Sequence, residues 1–206
     1  SCVHYYYAPN SNNVPLFKEK NEARIQLQYS SVGISSNGED AIDGFEIQSA
    51  YAVGKHTALQ LNFFHAGDKD DFGSGSGNYI EPAAGYFKPL HNNNWIFETY
   101  AGVGIGGMNS IYKTDNSSED AKTSITKFFV QPSFGYSRQH FAVAFSSKFS
   151  LVNLGVGSSS VSKENNPAVF DYLETFKNGK SYFWWEPGFI IRGGFKSIQG
   201  VLQITY

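Results

Sequence analysis

The sequence predicts an all-β fold: a closed antiparallel up-and-down β-barrel of about 8–10 strands. Three observations carry this. The last segment alternates Ile198, Gly200, Leu202, Ile204 and Tyr206, apolar or small, with the mostly polar Gln199, Val201, Gln203 and Thr205. That period of two is a strand with one greasy and one hydrated face, and a terminal aromatic suits the closing strand of an outer-membrane barrel. The chain holds 18 Phe, 13 Tyr and 21 Gly, an enrichment typical of barrels and sandwiches. Apolar runs are only a few residues long, far short of the roughly 18 that a spanning helix needs.

The elements follow in order. Residues 1–22 read as an extended N-terminal leader, broken by Pro9, Asn10, Asn12, Asn13 and Pro15, with Val14 to Phe17 either a short strand or a plug. Residues 23–206 form the barrel domain. Arg24 to Ile34 sets Ile25, Leu27 and Tyr29 against Arg24, Gln26 and Gln28. Gly44 to Val53 sets Phe45, Ile47 and Tyr51 against Glu46 and Gln48. Thr57 to Ala66 sets Leu59, Leu61 and Phe63 against Gln60 and Asn62. Tyr79 to Leu90 is irregular because of Pro82 and Pro89. Trp95 to Met108 sets Trp95, Phe97, Val103 and Ile105 against Glu98, Gly102, Gly104 and Gly106. Ile125 to Tyr136 and Phe141 to Val152 continue the rhythm, and Tyr182 to Arg192 leads through Gly193-Gly194 into the final strand. Four polar links separate the hairpins: Ser35–Asp43, Gly67–Asn78, Asn109–Ser124 and Gly155–Lys180. The last holds a predicted helix over Ala168–Phe176, opened by Asn166-Pro167 and ended by Asn178-Gly179. Nine segments are visible where such barrels usually have an even number; a tenth strand near Val14 or a miscounted segment would make the number even, though it would not settle which end carries the long links.

Alternation alone does not say which face looks outward. A soluble barrel turns its apolar side chains in, and a membrane barrel turns them out. The polar set favours the second arrangement. It contains Arg24, Glu46, Glu98, Lys148, Glu186 and Arg192, three acids and three bases, mixed with Gly and Ala, as befits a narrow lumen. Charges enclosed there must pair, because an unpaired buried charge costs several kcal/mol. The alternative is a sandwich whose charges simply face water. Trp95, Trp184, Trp185 and Tyr206 are candidates for an interfacial aromatic girdle, with ordinary packing as the other reading.

The net charge of -2 offers no electrostatic case for nucleic acid. One cysteine, Cys2, excludes an internal disulfide. Mature bacterial lipoproteins begin at a lipid-bearing cysteine, so Cys2 is a candidate lipid anchor; otherwise it is an incidental thiol. His65 with Asp68 is the one plausible acid–base pair, and chance adjacency explains it better than catalysis. Asp68, Asp70 and Asp71, Glu39, Asp40 and Asp43, or Glu119 and Asp120 lack the spacing of a calcium loop and read as solvated acids. No metal or cofactor is expected. Gly102-x-Gly104-x-Gly106 lies in a strand with no helix after it, so it makes room rather than cradling phosphate.

Several stretches resemble a family of small outer-membrane β-barrel-like proteins of Bacteroidetes: Asn13 to Glu22, Gln48 to Val53, Tyr100 to Gly104, Phe128 to Gly135 and Trp185-Glu186-Pro187. The resemblance implies a fold and an outer-membrane location but no catalytic residue. The expected function is therefore a non-enzymatic accessory or structural subunit of an outer-membrane complex, with membrane lipid and a protein partner as contacts. The alternatives are an outer-membrane enzyme acting on lipid or peptide, and a soluble lipocalin-like ligand-binding barrel.

Overall fold

The computed structural model describes residues 10–32, 42–70, 73–114, 117–195 and 197–205. Nine strands follow in chain order: β1 (Ala23–Val32), β2 (Ile42–Tyr51), β3 (Thr57–Asp70), β4 (Gly73–Leu90), β5 (Trp95–Thr114), β6 (Ser117–Ser137), β7 (Phe141–Ser159), β8 (Lys180–Gly194) and β9 (Gln199–Thr205). Each pairs antiparallel with its sequence neighbours in one meander. The helix Pro167–Phe176 lies between β7 and β8.

Tight turns join the strands at one end. The β4–β5 turn, His91–Asn94, places Asn92 and Asn93 at φ 55°, a left-handed conformation that asparagine tolerates better than most residues. At the other end the strands run past their apolar stretches. The predicted links Gly67–Asn78 and Asn109–Ser124 are largely strand, because β3 reaches Asp70 and β5 reaches Thr114. Apolar side chains are sparse there, Tyr112 and Ala121 inward and Ile111 outward, so the sequence shows little alternation to read. Pro82 and Pro132 sit inside the sheet. The β4–β5 register skips Glu81-Pro82 and the β6–β7 register skips Gln131-Pro132, as expected of residues without an N–H to donate.

The outer face is apolar. Phe63, Phe97, Phe145 and Phe189 are exposed, and Ile25 and Ile105 reach 75% and 60% exposure, whereas Glu98 and Arg192 are buried inside. On β5 the greasy stretch runs from Trp95 to Ile105; beyond it, apart from Ile111, the outward residues Asn109 and Lys113 are polar. On β6 the same change occurs between Phe128 and the outward Lys122 and Asp120.

The expected closed barrel needs correction. The sheet curls through 276° and does not close. Among the described residues, β1 pairs only with β2 and β9 only with β8. Topology supplies a reason: after nine alternating strands, β1 and β9 run in the same direction, so the antiparallel closure of an even-stranded barrel is denied them. Nor is Val14 a tenth strand. Residues 10–17 thread through the interior instead.

Candidate functional site: a charged, plugged interior

The interior is filled by one segment of chain and the polar side chains that hold it. Asn13 is the central clamp. Its Nδ2 donates to the Ser49 carbonyl (3.1 Å) and Asn62 Oδ1 (2.7 Å), and its own carbonyl accepts from Gln60 (3.2 Å) and Gln131 (2.7 Å). Asn12 Nδ2 donates to the Glu186 carbonyl at 3.2 Å. Its backbone meets the Gln203 amide, which donates to Asn12 O (3.2 Å) and accepts from Asn12 N (2.6 Å) once oriented to suit both neighbours. Leu16, at φ 59°, donates its N–H to Glu98 Oε2 at 3.0 Å. Such a backbone costs on the order of 1–3 kcal/mol and persists where its surroundings fix it. Phe17 closes this end, packed edge-on to Phe87 at 5.7 Å and clustered with Tyr100 and Phe129. The plug of the two sequence alternatives is thus the arrangement found.

Beside Asn10 lies a buried ion cluster. Glu81 meets Lys127 at 2.9 Å and Lys148 at 3.2 Å, and Lys127 meets Glu186 at 3.9 Å; Glu81 and both lysine side chains have 0% exposure. Asn10 bridges it, donating to Glu81 (3.3 Å) and accepting from Lys127 (2.9 Å). Asn62 and the Tyr79 hydroxyl also donate to Glu81, each at 3.2 Å, and Ser150 donates to Glu186 at 3.1 Å. Glu46 accepts from Gln48 (2.9 Å) and the Ser11 N–H (3.1 Å). A second group lies nearer the turns. Arg192 donates to the Val14 and Pro15 carbonyls, and the half-buried Arg24 to Gln26 at 3.3 Å. Glu98 sits between these two cations electrostatically.

All six charges singled out in the sequence line this interior. Two more complete it, Glu81 and Lys127, making four acids and four bases. Parity could have found both: Lys127 is four residues before Gln131 on its strand, and Glu81 two before Ala83. The prolines of β4 and the run Phe128-Phe129 obscured the pattern.

The glycines of β5 serve this packing. A Cβ on Gly104 would fall on the Tyr79 ring, and one on Gly102 would lie 2.5 Å from the Phe129 ring. Above the ion cluster, Phe64, Tyr79, Ile125, Val152 and Leu154 form an apolar layer with Phe176 of the helix, which covers the long-strand end. Glu119 anchors that helix, outside the apolar belt. It accepts from Ser162 N (3.2 Å) and Oγ (2.8 Å), Asn165 (2.8 Å) and Asn166 (2.7 Å). The bonds from Asn166, Asn165 and Ser162 hold its carboxyl down at about 2.

Other sequence candidates part company. Trp95 stacks on Phe134 at 5.2 Å on the outer face, and the exposed Trp185 donates to Ser147 Oγ at 2.7 Å. Trp184 belongs to the inward set with Tyr182 and Glu186, since adjacent strand residues face opposite ways, so it cannot share a girdle with Trp185. It is nonetheless 41% exposed, where β9 has ended opposite Gly188. His65 bonds Asn78 Oδ1 at 2.9 Å; the Asp68 side chain lies outside the described residues. So do Cys2, Glu39, Asp40 and Tyr206, and the side chains of Asp43, Asp70 and Asp71. Glu119 and Asp120 face opposite ways, and Asp120 accepts from Ser160 at 2.8 Å. Among the described residues, no three His, Cys, Asp or Glu side chains gather as a metal site, and no helix is long and apolar enough to cross a membrane. No family model, curated protein or solved structure matches the chain.

Proposed function

We propose that the chain is an outer-membrane β-barrel protein that acts as a non-enzymatic accessory or structural subunit of an outer-membrane complex. The observation that carries this is its inverted polarity: aliphatic and aromatic side chains cover the outside, and four acids and four bases line the interior, Glu81 and Glu186 paired with Lys127 and Lys148. Water gives no reason to expose Ile25, Leu61, Val130, Phe149 and Leu151 together while burying Lys127 and Lys148. Hydrocarbon does. The Trp95–Ile105 stretch matches the 9–11 tilted residues, approximately, that cross a bilayer core. The plug and the ion cluster fill the lumen, which supports a structural rather than a pore role. A lipocalin-like reading asks for an apolar interior, and Glu81, Lys127, Lys148 and Glu186 occupy it instead. In this reading Cys2 is the lipid anchor, and the resemblance to small Bacteroidetes outer-membrane proteins accounts for the location.

Val130→Lys tests the location. In the belt of a bilayer a lysine costs about 2–4 kcal/mol; on a watery surface it would cost within about 0.5. Urea unfolding in lipid vesicles distinguishes them, and an effect under about 0.5 kcal/mol sinks the membrane reading. For the subunit role, pull-down of the tagged protein from detergent-solubilised outer membranes should return an outer-membrane protein in constant ratio.

A further inference from the structure

We infer that the open seam between β1 and β9 is the docking site for a single β-strand from a different protein, which completes a ten-stranded barrel. This rests on the membrane reading above. In hydrocarbon an uncovered sheet edge leaves backbone N–H and C=O groups without partners, and open edges do not occur there.

Geometry sets the number of strands. Nine strands make eight steps, so an arc of 276° is 34.5° per step, and the remaining 84° holds about 2.4 steps. Direct β1–β9 pairing would use one step and one inserted strand uses two. A second copy joined edge to edge would make eighteen strands, which this curvature cannot accommodate. Direction follows as well. β1 and β9 run parallel, so one strand antiparallel to both restores the alternation and the even count typical of such barrels.

The seam also states the visitor's chemistry. Its outer lips are Ile25 and Leu27 on one side and Leu202 and Ile204 on the other, all exposed. Its inner lips are Arg24, Gln26 and Gln28 on β1 and Gln199, Val201 and Gln203 on β9, with Val201 packed on the plug's apolar cluster and Gln203 bonded to Asn12. The strand that fits is about 7–10 residues long, matching the edges, with aliphatic or aromatic residues outward and amides, hydroxyls or small residues inward. Trp184, exposed where β9 has ended, borders the same gap. Among the described residues the chain offers no strand of its own, since Asn10–Phe17 is clamped inside and Pro167–Phe176 is helical.

The test uses the full chain in its native membrane. Photo-crosslinking residues replace Ile25 and Leu27 on β1, and Leu202 and Ile204 on β9, one at a time. The expected result is that both edges mark one short stretch of one other polypeptide. Moving the probe from Ile25 to Leu27 should move the mark toward that polypeptide's N-terminus, as antiparallel pairing requires. In a Cys2→Ser background, Gln28→Cys with Gln203→Cys should form no disulfide, because edges two steps apart lie about 10 Å from each other against the roughly 4.4–6.8 Å a disulfide needs. The inference is overturned by a β1–β9 disulfide, by marks only on lipid, on a second copy or on this chain's own residues 1–9, or by two edges marking different proteins. Carbonate extraction separates the two levels. Release of the protein sinks the membrane reading itself, whereas retention with any of those outcomes sinks the added strand alone.

Discussion

Removing Lys127 probes the interior most directly. Its ammonium lies 2.9 Å from Glu81 and 3.9 Å from Glu186, with no exposed side-chain surface. At an effective dielectric near 20 these contacts represent about 6 and 4 kcal/mol of attraction. Several kcal/mol of desolvation, no longer suffered by the absent ammonium, offset them. Lys127→Met therefore should cost about 3–5 kcal/mol, the range for a buried carboxylate robbed of a partner. Urea unfolding in vesicles, followed by tryptophan fluorescence, reads this. The thermal midpoint should fall by roughly 6–20 °C for a chain of this size. Glu81→Gln/Lys127→Met removes one charge of each sign and keeps an amide for Asn10, Asn62 and Tyr79. The pair should show a coupling of about 1–3 kcal/mol, the double variant being less damaged than the two singles imply. A loss under about 0.5 kcal/mol for Lys127→Met, or strict additivity, would refute a buried, paired cluster.

Two further outcomes are expected. Phe17→Ala empties the plug's seat against Phe87 and Tyr100 and should cost about 3–5 kcal/mol, with new proteolytic cleavage within Asn10–Asn21 as a second readout. Glu119 contributes stability that is complete above its unfolded pKa of about 4.3 and is lost as pH falls toward its folded value of about 2. Amide exchange across Pro167–Phe176 should accelerate in that window, and Glu119→Gln should abolish the pH dependence; an unchanged profile would discard the anchor.

Much of the fold was legible because alternation is local. Ile25, Leu27 and Tyr29 against Arg24, Gln26 and Gln28 state two faces with no knowledge of a neighbour, and the polar partners on β1, β2, β5, β7 and β8 marked the charged side. Legibility failed where local pattern and role diverge. Gly73–Asn78 is strand with no apolar side chain, and the strand ends Asn109–Thr114 and Ser117–Ser124 carry only Tyr112 and Ala121 inward and Ile111 outward, too few to show a period of two. Glu81 sits beside a proline in an irregular stretch. Trp184 and Trp185 look alike in sequence yet face opposite ways.

By itself, then, the sequence determined the two faces of most strands and the hairpin rhythm, since a period of two needs only the chain's own pleat. Only the tertiary structure decided that Asn10–Phe17 is a plug, that Glu81 binds Lys127 and Lys148, and that β1 and β9 stand apart. Those depend on how far the sheet curls, and curvature is a sum over all eight strand pairs that no single segment encodes.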